Sequence, residues 1–186
     1  MKWPLWISAS MTLLVPFILA EDASLEKYRV TQYPSGSVSS LINKCTDSVD
    51  CRIWFFPSGR VNMINYFKNG KKDGKSFTFF ESGEIESEQE FRLDRIHGTQ
   101  TFFYKNGSLR YQAKYNENVR IGQERSYAED GTVFATGSYK DGERYNGIFL
   151  ANHYKFSKWV MYSDGNLVGH LVLQRFPERL VPYEDE

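Results

Sequence analysis

Three histidines are the side chains best suited to acid–base or metal chemistry near neutral pH. They are His97, His153 and His170, and they lie far apart in a chain of 186 residues. No nucleophile elbow, zinc-binding His-Glu-x-x-His motif, phosphate-binding loop or dinucleotide fingerprint accompanies them. The sequence therefore predicts a non-catalytic protein with no cofactor, no catalytic residues and no metal site.

Two cysteines could form either a disulfide or half of a metal site. Cys45 and Cys51 are the only two in the chain, and no histidine or second cysteine pair lies beside them to complete a ligand set. We therefore expect a local disulfide, which would stabilise the fold by about 2 kcal/mol through restriction of the unfolded chain. Such a bond requires an oxidising compartment.

Four glutamates alternate along one predicted strand, at Glu84, Glu86, Glu88 and Glu90. Carboxylates two residues apart on a strand stand roughly 7 Å from each other and do not converge on one cation. The pattern favours a solvated strand face over a calcium site.

The N-terminus and the charge balance bear on location and partners. Lys2 precedes an uncharged apolar stretch at 3–19, and Ala20 then precedes an acidic start. This pattern is typical of a secretory signal peptide at 1–20, so we expect an exported protein, periplasmic or secreted. An uncleaved membrane anchor at 3–19 is the alternative, and only then do we expect membrane contact.

Since 23 basic and 23 acidic residues balance, no nucleic-acid partner is expected.

A sequence repeat of 24 residues determines where any functional side chains lie in the fold. Turn glycines recur at this spacing at Gly59, Gly83, Gly107 and Gly131. Gly36 lies 23 residues before the first of them, and Gly165 copies the same turn 34 residues after the last. Later aromatic residues and a second glycine column share the period: Phe67, Phe91, Tyr115 and Tyr139, and Gly74, Gly98, Gly122 and, one residue late, Gly147.

Two turn signals in each unit, with aromatic and β-branched segments between them, predict successive antiparallel hairpins. We expect an all-β fold, an elongated twisted antiparallel sheet of stacked hairpins with about six units and degenerate ends. The expected divisions are a signal peptide at 1–20, a first repeat with the disulfide at 21–51, regular repeats at 52–146, and a last repeat with a cap or tail at 147–186.

Alternation along the strands predicts two unlike faces. Odd positions after each turn form an apolar column that we expect to be the core: Val61, Met63, Phe67, Ile85, Phe91, Leu109, Tyr111, Ala113, Tyr115, Val133, Ala135 and Tyr139. Seven rings on the otherwise polar parity are candidate partner-binding residues: Trp54, Phe56, Tyr66, Phe80, Phe102, Tyr104 and Phe134. Curling of the sheet, or bulges that change parity, would bury or scatter them instead.

The unit resembles the variant MORN repeat: an aromatic pair, then x-[Ser/Asn/Asp]-Gly-x-[Val/Ile/Leu], as in Phe102-Phe103-Tyr104-Lys105-Asn106-Gly107-Ser108-Leu109. The resemblance implies a binder or scaffold, and in bacteria it implies the YwqK-like antitoxin type, whose partner would be a toxin or an envelope protein. A membrane- or cell-wall-associated structural protein is the alternative. Departures from the pattern are Ala128, Asp94 in place of a turn glycine, and an insertion at 151–158 that suggests a cap.

Overall fold

The computed structural model describes residues 28–46, 48–150 and 157–173, and within them every regular element is a β-strand. The strands are β1 Tyr28–Gln32, β2 Val38–Thr46, β3 Val49–Phe55, β4 Val61–Lys68, β5 Lys71–Phe79, β6 Ile85–Arg92, β7 Arg95–Ile96, β8 Gly98–Phe103, β9 Leu109–Asn116, β10 Val119–Tyr127, β11 Val133–Lys140, β12 Glu143–Leu150, β13 Ser157–Ser163 and β14 Asn166–Leu173. They form one open antiparallel sheet in chain order, with the short β7 beside β6. The expected all-β array of stacked hairpins is confirmed.

The turns along one edge of the sheet, here called the first edge, share one geometry. Phe56 donates its N–H to the carbonyl of Arg60, and Gly59 donates to the carbonyl of Phe56 with a φ of 83°. A turn followed by a left-handed glycine is the three-residue hairpin loop with a glycine bulge. The same bonds recur from Tyr33, Phe80, Tyr104 and Ala128, so the turns at Gly36, Gly59, Gly83, Gly107 and Gly131 are equivalent.

The turns along the opposite, second edge are two-residue loops in which both residues have positive φ, as a type I′ turn requires. They are Asn69-Gly70, Leu93-Asp94, Glu117-Asn118, Asp141-Gly142 and Asp164-Gly165. The interpretation of Gly165 as a copy of the first turn is therefore wrong. It continues the second-edge series 23 residues after Gly142, and the apparent 34-residue gap arose from comparing turns at opposite edges.

The second glycine column marks bulges rather than turns. Gly74, Gly98, Gly122 and Gly147 all have positive φ and lie beside shifts in strand register. At Gly147 a Cβ would clash with the backbone of Thr136 and Gly137, so only glycine fits there. Bulges bend a strand and increase its twist.

The register divides the side chains into two faces. Face 1 carries the row Trp54, Met63, Thr78, Ser87, Phe102, Tyr111, Ser126 and Ala135, and face 2 carries the row Ile53, Ile64, Phe77, Glu88, Thr101, Gln112, Arg125 and Thr136. The predicted core column lies on face 1, where Phe67, Ala113, Tyr115 and Ala135 are buried. Ile85 and Val133 contradict the core prediction, since they are 39% and 49% exposed beside the bulged first-edge turns.

The seven candidate rings do not share one face. Trp54 and Phe102 lie on face 1, because the bulged first-edge turn pairs them with the odd-numbered Met63 and Tyr111. Tyr66 and Phe134 lie on face 2, and Phe56, Phe80 and Tyr104 lie in the first-edge turns. The prediction of a single ring stripe is therefore wrong, because the sequence pattern did not include the parity change at each bulge. All seven side chains are half-buried.

The disulfide between Cys45 and Cys51 is present and joins the ends of β2 and β3 at the second edge, so its prediction is confirmed. Cys51 is buried and pairs with Asn43 across the two strands. The expected signal peptide at 1–20 and the alternative anchor at 3–19 lie outside the described residues, as do residues 151–156 of the predicted insertion at 151–158. Among the residues described, no helix is long and apolar enough to cross a membrane.

Candidate cleft at the second edge

An open cleft of about 1130 Å³ lies at the second edge, beside the start of β10 and the β11–β12 hairpin. Its lining is rich in tyrosine and in charged groups of both signs: Tyr115, Asn118, Val119, Arg120, Tyr139, Lys140, Asp141, Gly142, Glu143, Arg144, Tyr145, Tyr162 and Gly165. Pairing of β10 with β11 begins only at Gly122 and Tyr139, so residues 119–121 have no strand partner on that side.

Arg120 is held at the base of this cleft by a hydrogen-bonded network. Its Nε donates to the hydroxyl of Tyr115 over 2.8 Å, and its Nη1 donates to the hydroxyl of Tyr139 over 2.6 Å. Glu124, only 6% exposed, lies 3.5 Å from Arg120 and accepts bonds from Tyr139 at 3.0 Å and Tyr111 at 2.8 Å. These contacts fix the guanidinium in one place and orientation.

The hydroxyls of Tyr111 and Tyr139 remain protonated near neutral pH. Burial, reinforced by the nearby carboxylate of Glu124, raises the pKa of Tyr111 far above its ordinary value of 10.0. The pKa of Tyr139 is raised by the same two causes. These hydroxyls therefore act as hydrogen-bond donors to Glu124 and not as general bases or nucleophiles.

Cationic side chains lie close to the tyrosine rings in the cleft. Arg120 lies 5.8 Å from the ring centre of Tyr115 and 5.5 Å from that of Tyr139. Lys140 lies 5.0 Å from the ring centre of Tyr145, and Arg144 lies 5.9 Å from that of Tyr162. The lining therefore offers positioned cationic groups more than open aromatic faces.

Elsewhere along the second edge a ladder of reciprocal bonds, here called the turn ladder, joins successive hairpins. Asp94 donates its N–H to the carbonyl of Lys72 at 2.8 Å, and its Oδ1 accepts the N–H of Lys72 at 2.7 Å. Asn118 makes the same two bonds with Ile96, at 2.9 Å and 2.7 Å. The second residue of each of these two turns is thus hydrogen-bonded to the preceding hairpin through both its backbone and its side chain.

The turn ladder is interrupted at the cleft. Gly142 follows Asn118 by 24 residues and has no side chain with which to reach Arg120. No side chain in residues 28–46, 48–150 or 157–173 accepts a bond from the backbone N–H of Arg120, and Gly142 does not donate to its carbonyl. At Arg120 the described residues therefore supply no counterpart of the side-chain acceptors that Lys72 and Ile96 have.

None of the seven candidate rings lines the cleft. Tyr104 donates its hydroxyl to the carbonyl of Tyr127 at 2.7 Å, linking two first-edge turns, and Phe134 packs edge-on against Trp159 with ring centres 5.1 Å apart. Phe102 packs against Tyr111 at 6.1 Å. These contacts give the rings structural roles, and a partner-binding role for them stays a prediction.

The residues that form the cleft were not predicted from the sequence as functional residues. Lys72, Ile96, Arg120 and Arg144 share one position of the repeat at a spacing of 24, and three of the four are basic, which was a readable signal. A second signal was the column Gly70, Asp94, Asn118 and Gly142, in which only the two middle members carry a side chain.

The other groups considered for chemistry are dispersed. His97 lies 3.7 Å from Glu117, which also pairs with Arg95. His153 lies outside the described residues, as does the side chain of His170. Glu88 forms an ion pair with Lys75, and the described ranges contain no cluster of three or more histidine, cysteine or acidic residues suited to a metal ion.

Comparison with curated proteins gives no match. Residues 72–92 and 96–117 match the family model described as the MORN repeat variant. The first segment covers β5 and β6, and the second runs from Ile96 through β8 and β9 to Glu117. They include Lys72 and Ile96 of the turn ladder but not their partners Asp94 and Asn118. These two units of the chain are therefore similar to the variant MORN repeat.

Proposed function

We propose that this protein is a non-catalytic protein-binding repeat module and that the cleft at the second edge is its main binding surface. MORN repeats generally bind proteins or membranes. The observation that carries the proposal is a cleft beside an interrupted step of the turn ladder, around a guanidinium already fixed by Tyr115, Tyr139 and Glu124. Binding sites gain affinity from side chains that need no ordering when the partner arrives.

The proposal includes an exported location. The disulfide between Cys45 and Cys51 supports it, because such bonds persist in oxidising compartments. The signal pattern at 1–20 also supports it. An exported binding module could act as an immunity protein that neutralises an incoming toxin, or as a scaffold for envelope proteins.

Affinity capture from envelope and secreted fractions tests this function. The bait is the exported chain, and its matched variant carries Lys140→Ala and Tyr145→Ala at the rim of the cleft. Lys68→Ala, an exposed second-edge lysine outside the cleft, is the control. We expect one stoichiometric protein partner, captured by the control and lost from the rim variant. Capture of lipid or wall polymer without a protein would contradict the proposal.

The ring residues provide a second candidate contact region. Phe80 and Tyr104 lie in neighbouring first-edge turns and are half-exposed. A bait with Phe80→Ser and Tyr104→Ser therefore belongs in the same capture experiment. Loss of the partner from this folded variant alone would move the binding surface to the first edge.

A further inference from the structure

The repeat itself shows which chemical group fits between two second-edge hairpins. At two successive steps the backbone N–H of the following strand is bound by a side-chain oxygen: the carboxylate of Asp94 at Lys72 and the carboxamide of Asn118 at Ile96, each over 2.7 Å. A carboxylate is the stronger acceptor of the two for an N–H donor.

The third step presents the same backbone without the side chain. Gly142 has a φ of 87°, near the 69° of Asp94 and the 72° of Asn118. A Cβ built on Gly142 would lie 2.9 Å from Cγ1 of Val119, so it would point toward the start of β10. The backbone N–H of Arg120 holds the position that Lys72 and Ile96 hold in the ladder.

We propose that the cleft binds a carboxylate from an acidic segment of the partner protein and that this group completes the turn ladder at Arg120. The inference rests on the proposed binding function and names the chemistry of the partner. Three basic side chains line the cleft, Arg120, Lys140 and Arg144, against the two acidic side chains Asp141 and Glu143. Glu124 already pairs with Arg120, so the cleft has no excess of positive charge, and Lys140, exposed at the rim, is the cation that an acidic segment can reach.

The aromatic lining favours the same class of ligand. Stacking of a sugar or an aromatic side chain would compete with Arg120 and Lys140, which lie 5.0–5.8 Å from the ring centres of Tyr115, Tyr139 and Tyr145. An acidic peptide can instead reach the cations directly and accept the backbone N–H.

The test uses a fluorescein-labelled hexaglutamate peptide and the exported chain, with binding followed by fluorescence anisotropy at low and moderate salt. Hexaglutamate should bind, hexalysine should not, and added salt should weaken the complex because it screens the charges. The decisive variant is Gly142→Asn, which supplies an internal carboxamide in a backbone conformation that asparagine tolerates. We expect it to weaken hexaglutamate binding by about tenfold or more, the equivalent of one charge-assisted hydrogen bond.

The matched control is Gly142→Ala, which brings a Cβ within 2.9 Å of Val119 as Gly142→Asn does but supplies no carboxamide. It should leave the affinity unchanged. Lys140→Gln, which removes one cationic group from the exposed rim, should also weaken binding of hexaglutamate. It replaces Gly142→Asn as the test variant if Gly142→Asn fails to fold.

Absence of hexaglutamate binding at low salt would overturn the inference, and so would equal affinity of the wild type, Gly142→Asn and Lys140→Gln. Binding to vesicles of anionic lipid without binding to hexaglutamate would overturn it as well. A protein partner captured equally by Gly142→Asn and the wild type would refute the carboxylate site while leaving the proposed binding function intact. Failure to capture any protein would count against that function itself.

Discussion

At the scale of single residues, the polar groups buried on face 1 are mostly satisfied by cross-strand partners. Ser76 donates to Asn65, Thr78 and Ser87 bond to each other, and Glu124 accepts from its two tyrosines. Sequence patterns predicted the apolar members of this face because they alternate. Glu124 could not be predicted as buried, because only the folded register shows that Tyr111, Tyr139 and Arg120 surround it.

Replacement of Glu124 by Gln should destabilise the protein by about 1–3 kcal/mol, because it leaves the charge of Arg120 without its buried counter-ion and weakens two hydrogen bonds. Urea unfolding followed by circular dichroism measures the change. Glu129→Gln, at an exposed turn residue, is the control and should fall within about 0.5 kcal/mol of the wild type. Equal stabilities for the two variants would show that the Glu124 network contributes little.

The raised pKa values of Tyr111 and Tyr139 predict a loss of stability at alkaline pH. Both hydroxyls stay protonated in the folded chain while those of the unfolded chain ionise near the ordinary value of 10.0. The stability that these two hydroxyls contribute is thus fully present below that pH and declines as the pH rises above it. Urea unfolding across the alkaline range should show this decline, and Tyr111→Phe should reduce its slope. Tyr127→Phe, outside the network, should leave the slope unchanged.

At the scale of elements, the glycine spacing predicted both sets of turns because a tight turn requires a residue that adopts positive φ. It did not predict which edge each turn occupies, and Gly165 was misplaced for that reason. Nor did it predict the bulges, which depend on the pairing of neighbouring strands and which moved Trp54 and Phe102 to face 1.

The bulge at Gly147 provides a sharp test of this geometry. Gly147→Ala should destabilise the protein more than Gly122→Ala does, since both positions have positive φ but only at Gly147 does a Cβ clash with the backbone of Thr136. We expect about 1 kcal/mol at Gly122 and about 2–3 kcal/mol or more at Gly147. Thermal or urea unfolding gives both values. Equal losses at the two sites would mean that β11 and β12 do not approach as closely as described.

At the scale of the whole molecule, each hairpin contacts mainly its sequence neighbours, so stability accumulates along a nearly one-dimensional array. The repeat period predicted this architecture because it is a global property of the sequence. The cleft could not be predicted from the average unit, since its lining combines residues of several strands, among them Arg120, Tyr139 and Arg144.

The same architecture predicts that removal of the disulfide has a local effect. Cys45→Ser with Cys51→Ser should lower the free energy of unfolding by about 2 kcal/mol. Hydrogen exchange should increase mainly in β2 and β3, while β9 to β12 keep their protection. An equal increase throughout the sheet would show that the array unfolds as one cooperative unit.

The most direct test of the central claim is hydrogen exchange of the protein with and without its captured partner, resolved to short peptides by mass spectrometry. Binding at the cleft predicts protection confined to residues 115–121 and 139–146, at the second edge. Protection confined to the first-edge turns at 56–60, 80–84 and 104–108, with no change at the cleft, would contradict the account and place the partner on the ring-bearing edge instead.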